Sequence, residues 1–376
     1  MQFEYTTQQA ENQQIYRQFA QKEVAPLARQ IDETEAFPTD LVQKMADMGF
    51  LSALIEETDG GQPIDMISFG LLNEELGNAC SSTRSLITVH SMVTHAIKRW
   101  AKKAQQQQWL PRLATGECIG AFALSEPNIG SNAGYIETTA VLDGNEYVIN
   151  GRKKWITFGQ IADVFLLFAR QDGKAIALLV DKNTPGLTIH PISGMIGARG
   201  AMLAELELEY CRIPAENMLA GVGFGIMAVA MSALDIGRYS VAWGSVGIGQ
   251  ACLEASLAYT QSREQFGKPL NKFQLIQQMI TNMIVHVKAA RMLCLQSGFT
   301  LEHQPANATN DILIAKYYSS KTAMEIASDA VQVHGANGCS SDYPVQRFLR
   351  DAKVMEIIEG SHQMQQIMIA KNAYIS

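Results

Sequence analysis

The feature that most limits what this chain can fold into is a change of hydrophobic period along its length, followed by a change back. From Thr6 to about Gly116, apolar residues recur at helical spacing, in segments such as Glu11 to Glu33 and Pro38 to Met48. One clear loop, EETDGGQPID at residues 56–65, interrupts them, because its glycines and Pro63 cannot propagate a helix. The pattern then shortens to TTAVL, EYVIN and KKWIT, punctuated by Asp143-Gly144-Asn145 and Asn150-Gly151. A third pair, Asp172-Gly173, separates VFLLFAR from KAIALLV. Glycine accepts the positive φ that tight hairpins demand, so each pair predicts a turn between strands. From Phe224 onward helical spacing returns, as at Ile312, Ala315, Tyr318, Ala323, Ile326, Ala327 and Ala330.

These transitions predict an α+β chain with a helical domain over 1–117, a middle antiparallel β-barrel or sandwich over 118–220, and a helical bundle over 221–376. A length of 376 residues agrees, since single cores stop growing well below that size. The order α, β, α without βαβ alternation argues against a doubly wound sheet. A net charge of −7 supplies no basic stripe for a phosphate backbone, which argues against nucleic acid as a partner. The N-terminal MQFEYTTQQAENQQ lacks the basic patch and apolar run of a secretory signal, and Met218 to Leu234 reads as a glycine-led loop feeding a buried helix. A cytoplasmic protein without membrane attachment is therefore expected. Six scattered cysteines without a CxxC pair read as reduced, buried thiols.

Two patterns invite functional readings and do not sustain them. In GVGFG the third glycine of a dinucleotide fingerprint would fall on Ile226, so a hinge is the better reading. His90 and His95 have no carboxylate or third ligand nearby in sequence, which leaves no metal site. No GxSxG elbow is present.

Chemistry concentrates in AFALSEPNIGSNAG, residues 121–134, where helices give way to strands. Its hydroxyls and glycine-exposed N–H groups suit a large polar ligand, although any Gly/Ser/Asn loop can be a simple turn. Together with KKWITFG, SREQFGKPL, QVHGANG and RDAKVMEIIEGSHQMQQ, this segment resembles the acyl-CoA dehydrogenase family in order and spacing over essentially the whole chain. The resemblance implies a helical, a β and a four-helix-bundle domain, with FAD held between domains and across a subunit interface. It places Phe122, Leu124, Ser125, Gly130 and Ser131 against the flavin, with Ser125 near the reactive N5 edge, and makes Trp155, Ile156 and Thr157 the flavin wall. Arg263, Gln265 and Phe266 resemble the residues that reach the pyrophosphate and adenine of a neighbouring subunit's FAD, as do Gln332, Val333, Gly335 and Ala336. Ser361, His362 and Gln363 match the remaining FAD stretch. A homotetramer or homodimer follows from that sharing.

The resemblance also makes Glu359 the catalytic base, and the chemistry explains why a carboxylate belongs there. A proton α to a thioester is weakly acidic, so its removal needs a base within reach and a dry pocket that raises the base's pKa. In the family the hydride leaves the β carbon for the flavin, and the cofactor carries the electron chemistry. Read without the motifs, Glu359 is better taken as a solvated acid at a helix start, and IIEG flanked by RDAK and a helix reverses that reading. Glu356, one turn earlier, is the rival carboxylate and reads as structural.

Within the family, NACSSTRSLITVHS, GRYSVAWGSVGIGQAC and RDAKVMEIIEG resemble the acyl-carrier-protein dehydrogenases of hydroxymalonyl, methoxymalonyl and aminomalonyl extender-unit biosynthesis. That branch implies a three-carbon oxygenated acyl group on a carrier protein, in polyketide assembly. The alternatives are a conventional short-chain acyl-CoA dehydrogenase of fatty-acid or amino-acid breakdown, and a flavin-free helical scaffold. Arg84 is read either as meeting a polar or carboxylate-bearing acyl group or as a surface ion pair. Asp235 and Arg238 match positions near the pantetheine arm, and equally suit an ordinary i, i+3 helix pair. Ser131 and Gly360 complete the substrate-side set. Asn132 and Gln366 depart from the family's usual aspartate and arginine, which puts details of thioester and interface contacts in doubt. The substrate partner is a carrier-protein or CoA thioester, and a flavoprotein or oxygen accepts the electrons.

Overall fold

The computed structural model describes residues 4–374. Its first part is helical, with α1 (Thr7–Phe19), α2 (Ala28–Thr34), α3 (Thr39–Asp47), α4 (Met66–Ala79), α5 (Ser81–Trp100) and α6 (Lys103–Ala114). Between α1 and α2 the chain stays coiled but loosens to a π turn and then a 3₁₀ turn at Pro26, which cannot donate to a regular helix. Asp65 ends the glycine loop and caps α4, its carboxylate accepting from Ser68 N at 3.0 Å.

Strands begin at β1 (Gly120–Ala123) and continue through β2 (Thr139–Asp143), β3 (Glu146–Ile156), β4 (Val164–Gln171), β5 (Lys174–Asp181), β6 (Leu187–Pro191), β7 (Ala204–Pro214) and β8 (Met218–Leu219). They form one hydrogen-bonded path, β6-β7-β3-β2-β4-β5-β8, with β1 alongside β4. Pairing is antiparallel except for β1 with β4 and a single Thr139–Arg170 pair between β2 and β4. Two of the three predicted turns are present: Asp143 pairs with Glu146 and Gln171 with Lys174, each across a two-residue loop.

The third is not. Asn150-Gly151 lies inside β3, where the register against β7 slips between Ile149 and Gly151, and Asn150 Oδ1 accepts from Tyr210 N at 2.8 Å. The glycine is required there by contact: a Cβ on Gly151 would stand 2.6 Å from Thr138 Oγ1.

Burial of β4 explains its unbroken apolar sequence. Val164, Leu166 and Phe168 enter a core shared with α5 and α6, while Phe165, Leu167 and Ala169 fill a second core within the sheet. At the β1 edge, His90 is fully buried, receives Gly120 N on Nδ1 at 3.3 Å and lies 3.1 Å from Leu113 O through Nε2. Burial pushes its pKa down to about 4.

The glycine-rich GVGFG segment is tied to β5, Gly223 N donating to Ala175 O at 2.9 Å, before a π-helical turn feeds α7 (Met231–Ser262). A short hairpin, β9 (Glu264–Gln265) and β10 (Lys268–Pro269), precedes α8 (Gln274–His303), α9 (Ala308–His334), α10 (Val345–Met355) and α11 (His362–Ala373). Helix α7 packs against α4, α5, α8, α9 and α10, so one apolar core joins the first and last helical regions. Five cysteines are buried and Cys339 is exposed, all as free thiols. Among the described residues, no helix is long and apolar enough to cross a membrane.

Gly151→Val is expected to lower the unfolding free energy by about 1–3 kcal/mol, the usual cost of overpacking a filled site. Chemical denaturation measures it; an unchanged midpoint would show that the β3 slip has room for a side chain.

Candidate active site

Helix α10 ends at Met355, and the chain turns through Glu359 and Gly360 before Ser361 caps α11, its side chain accepting from Met364 N at 3.4 Å. Glu359 and Gly360 both take positive φ, 55° and 93°. For glutamate this is a strained conformation that persists only where the surroundings impose it. Here two carbonyls are held: Arg238 Nε donates to Glu359 O at 3.2 Å, and Lys316 Nζ and Gln365 Nε2 each donate to Gly360 O at 3.0 Å.

The turn aims the Glu359 carboxylate inward, where its Oε2 is buried and has no hydrogen-bond partner. A Cβ on Gly237 of α7 would lie 2.5 Å from that oxygen and 2.7 Å from Met92 Sδ of α5. Burial raises the Glu359 pKa to about 6, outweighing the opposing attraction of Arg238, Lys316 and Arg84. The rival carboxylate is engaged elsewhere: Glu356 accepts from Lys353 Nζ at 2.6 Å and lies 3.8 Å from His362 Nδ1.

Arg84 is not a surface residue. It is fully buried on α5, donating to Thr88 Oγ1 at 2.6 Å, Ser85 Oγ at 3.1 Å and Met355 Sδ at 3.4 Å, while its Nε has no partner. No carboxylate pairs with it among the described residues, and burial lowers its pKa to about 10. Thr88 continues to Ser240 at 2.6 Å and Ser240 donates to Asn73 at 2.5 Å, a buried polar line from α5 through α7 to α4.

Asp235 and Arg238 do form the i, i+3 pair, at 3.0 Å, but well below the surface, with Thr309 Oγ1 donating to the second Asp235 oxygen at 2.7 Å. The contacts of Arg238 are thus to Glu359 and Asp235.

The serine-rich loop after β1 is shaped by a buried ion pair that the motifs did not signal. Glu126 accepts from Lys153 Nζ at 2.8 Å, Thr138 N at 2.9 Å and Thr138 Oγ1 at 2.6 Å, and Lys153 also donates to Leu124 O at 3.2 Å. Breaking such a pair typically costs about 3–5 kcal/mol, because the surviving charge is left dry and unmatched. Lys154 N donates to Ser125 O at 2.9 Å, which joins this loop to the Trp155 segment. Phe122 and Ser125 are half-buried, and Gly130 and Ser131 are exposed. Trp155, at φ 65°, leaves 48% of its surface open, and Thr157 is half-buried. The side chains of Leu124 and Ile156, by contrast, lie in the protein core, so only their backbone is available to a ligand.

A third group gathers at the far end of α7. Arg263, Gln265 and Phe266 occupy the exposed hairpin, Phe266 being 93% open. Gln332, Gly335 and Ala336 are exposed at the end of α9, while Val333 is buried. Tyr259 stacks on His334 at 4.2 Å between the two segments, and a cavity of about 500 Å³ includes Arg263, Tyr259, His334 and Asn337 in its wall. Gln363 is exposed on α11 and Gln366 donates to Tyr317 Oη at 2.9 Å. Phe122 packs in the same core as Met92, which connects the loop to the Glu359 pocket.

Gly237, Met92, Lys316, Gln365 and the Lys153–Glu126 pair belong to these sites and were not singled out from sequence. A lysine in ILIAKYYSSK, between small and apolar residues, was the one available signal.

Three family models match the chain in order: acyl-CoA dehydrogenase N-terminal domain over residues 6–117, middle domain over 121–211 and C-terminal domain over 225–374. The chain belongs to the acyl-CoA dehydrogenase family, and so to the FAD-dependent oxidoreductases. Among its relatives, probable acyl-CoA dehydrogenase YngJ of Bacillus subtilis is 39% identical, with 99% of each chain covered. Butyryl-CoA dehydrogenase from Megasphaera elsdenii superposes with a TM-score of 0.96 at 33% identity, covering 100% of both chains. FkbI, described as serving biosynthesis of the methoxymalonyl extender unit of a polyketide immunosuppressant, superposes at 0.88 with 30% identity over 97% of this chain and 99% of its own.

The residues present fit FAD. Trp155 and Phe266 offer exposed aromatic surface, and an arginine lines the α7-end cavity, as a pyrophosphate requires.

Gly237→Ala is expected to lower turnover about 10²-fold, the scale associated with misplacing a reacting group by about 1 Å, without loss of helical circular dichroism. Unaltered kcat would show that the Glu359 side chain can yield to the added methyl.

Proposed function

We propose that this chain oxidises a short, oxygenated acyl thioester, with Glu359 as the base and Arg84 facing the polar end of the acyl group. The observation that carries this reading is an orphaned, buried Glu359 oxygen within the electrostatic reach of a buried Arg84 whose hydrogen-bond partners are all uncharged. FAD, when bound, supplies the two-electron acceptor. Phe122, Ser125, Gly130, Ser131, Trp155 and Thr157 would line its ring, with Leu124 and Ile156 contributing backbone. Arg263, Gln265, Phe266, Gln332, Gly335 and Ala336 would hold the pyrophosphate and adenine of a neighbouring subunit's FAD, with Val333 buried behind them, and Ser361 and Gln363 would complete the FAD contacts. The electron acceptor of the loaded protein would be a flavoprotein or oxygen.

Glu359 takes the proton, from the α carbon of a simple acyl group or from the hydroxyl of an oxygenated one. Its left-handed turn fixes where the carboxylate lies, and Met92 and Gly237 keep that place narrow. Arg238 and Asp235 support the turn from α7, while Ser131 and Gly360 line the route of the thioester arm. The likeness to FkbI supports a three-carbon acyl group on a carrier protein, as in polyketide extender-unit formation. The likeness to butyryl-CoA dehydrogenase supports the second reading, a short-chain acyl-CoA substrate.

Anaerobic mixing separates the two. Bleaching of the flavin by a hydroxyacyl group on a carrier protein, with butyryl-CoA inert, is the expected result; rapid bleaching by butyryl-CoA alone would select the second. Glu359→Gln should keep FAD and lower turnover by about 10²- to 10⁴-fold, the usual share of proton transfer. Because the base must be ionised, wild-type kcat should rise through about pH 6. Near-normal turnover of the variant would reject the role.

Sharing of FAD between subunits predicts a homodimer or homotetramer, since Phe266 and Gln265 stand out from their own chain. Light scattering of the yellow holoprotein should give a multiple of 41.3 kDa, and a monomer would count against a shared site.

A further inference from the structure

Lys316 is a fully buried lysine of α9, and the hydrogen bond found for it goes to a main-chain carbonyl, Gly360 O at 3.0 Å. A dry ammonium with a neutral acceptor is costly, and a methionine of similar length would fill the same space without that cost. Space-filling does not explain the residue.

What surrounds it does. Glu359 and Glu356 face it from the α10–α11 connection, Arg238 faces it from α7, and His362 of α11 stands beside it, bonded through Nε2 to Ser320 at 2.8 Å. Around Glu359 itself the charged groups are Arg238 of α7, Lys316 of α9 and Arg84 of α5. Arg84 is committed to Thr88, Ser85 and Met355, and Arg238 to Asp235. Lys316 has no carboxylate within ion-pair distance among the described residues, so its charge acts on Glu359 without an intervening partner.

We infer that Lys316 is the positioning residue of the proposed base: its ammonium pins the Gly360 carbonyl, which holds Glu359 in the left-handed turn, and its charge favours the ionised carboxylate. The inference rests on Glu359 being the base. Burial pulls the Lys316 pKa down to about 7, with Glu359 the largest opposing influence. Each charge favours the ionised form of the other, so the ammonium and the carboxylate support one another against burial.

Lys316→Met removes both charge and hydrogen bond; Lys316→Gln keeps a donor for the carbonyl and removes the charge. In both holoproteins the midpoint of kcat against pH is expected to move upward by about 1 unit, the low end of the effect of one nearby opposite charge. Only Lys316→Gln is expected to approach wild-type kcat at high pH. A second readout is the infrared pH titration of the Glu359 carboxyl, isolated as the difference between each form and the same form carrying Glu359→Gln. It should move with the kinetic midpoint. If Glu359→Gln abolishes turnover and neither Lys316 variant moves either midpoint, Lys316 only fills space and the inference is wrong. If Glu359→Gln retains turnover, the base assignment fails instead, and the infrared titration alone still tests the charge coupling.

Discussion

The site depends on the withdrawal of one carboxylate from water. Glu359 is surrounded by Arg238, Lys316 and Arg84, any of which would ordinarily hold a carboxyl below its usual range, yet its pKa rises to about 6. Burial wins because desolvation acts on the carboxylate itself, whereas each cation is turned toward another acceptor: Asp235 for Arg238, Gly360 O for Lys316 and Thr88 for Arg84. A direct ion pair from any of the three would have reversed the outcome and left a weaker base. The arrangement supplies charge at a distance and withholds contact, which suits a group that must both accept and release a proton near neutrality.

Keeping the carboxylate dry is a task for the helices, and holding it in place is a task for the backbone. Gly237 allows α7 to come close enough that the Glu359 oxygen occupies the space of a side chain, while Met92 closes the other side from α5. The left-handed turn resists relaxing because three donors from α7, α9 and α11 grip consecutive carbonyls. The loop after β1 is built on the same logic with a different device. There the buried Lys153–Glu126 pair gathers Leu124 O and the Thr138 backbone to one point, so a glycine- and serine-rich segment has a fixed course.

The order of helices and strands was legible in the sequence because hydrophobic period is a local property. The turns at Gly144 and Gly173 were legible for the same reason. Asn150-Gly151 misled because the dipeptide satisfies a bulge as readily as a hairpin, and only the approach of Thr138 decides between them. Glu359 was singled out by its motif, and Leu124, Ile156 and Val333 were named with theirs although their side chains serve the core. Lys316 and Gly237 escaped because a lysine among small and apolar residues and a glycine beside Arg238 do not show in sequence what they will face. Their meaning comes from Gly360, 44 positions from Lys316, and Glu359, 122 positions from Gly237, brought together by helix packing.

On the proposed reading, Arg84 is where the fold would constrain the substrate. A guanidinium carries five donors, and this one meets two hydroxyls and a thioether while its Nε meets nothing. Against a purely hydrocarbon acyl chain, that would leave a strongly polar group desolvated and partly unmatched, which is expensive. The cost is offset when the ligand brings oxygen: a hydroxyl, a hydrated aldehyde or a carboxylate would complete the donor set. The same group would penalise a plain alkyl chain by leaving its own donors dry, so discrimination would come as much from what the pocket rejects as from what it binds. A carboxylate would be held most firmly and would also offset the positive charge that Arg84 directs at Glu359. On that reading, substrate charge and base strength would be coupled through one side chain, with the more anionic acyl group making Glu359 harder to ionise and the stronger base once ionised.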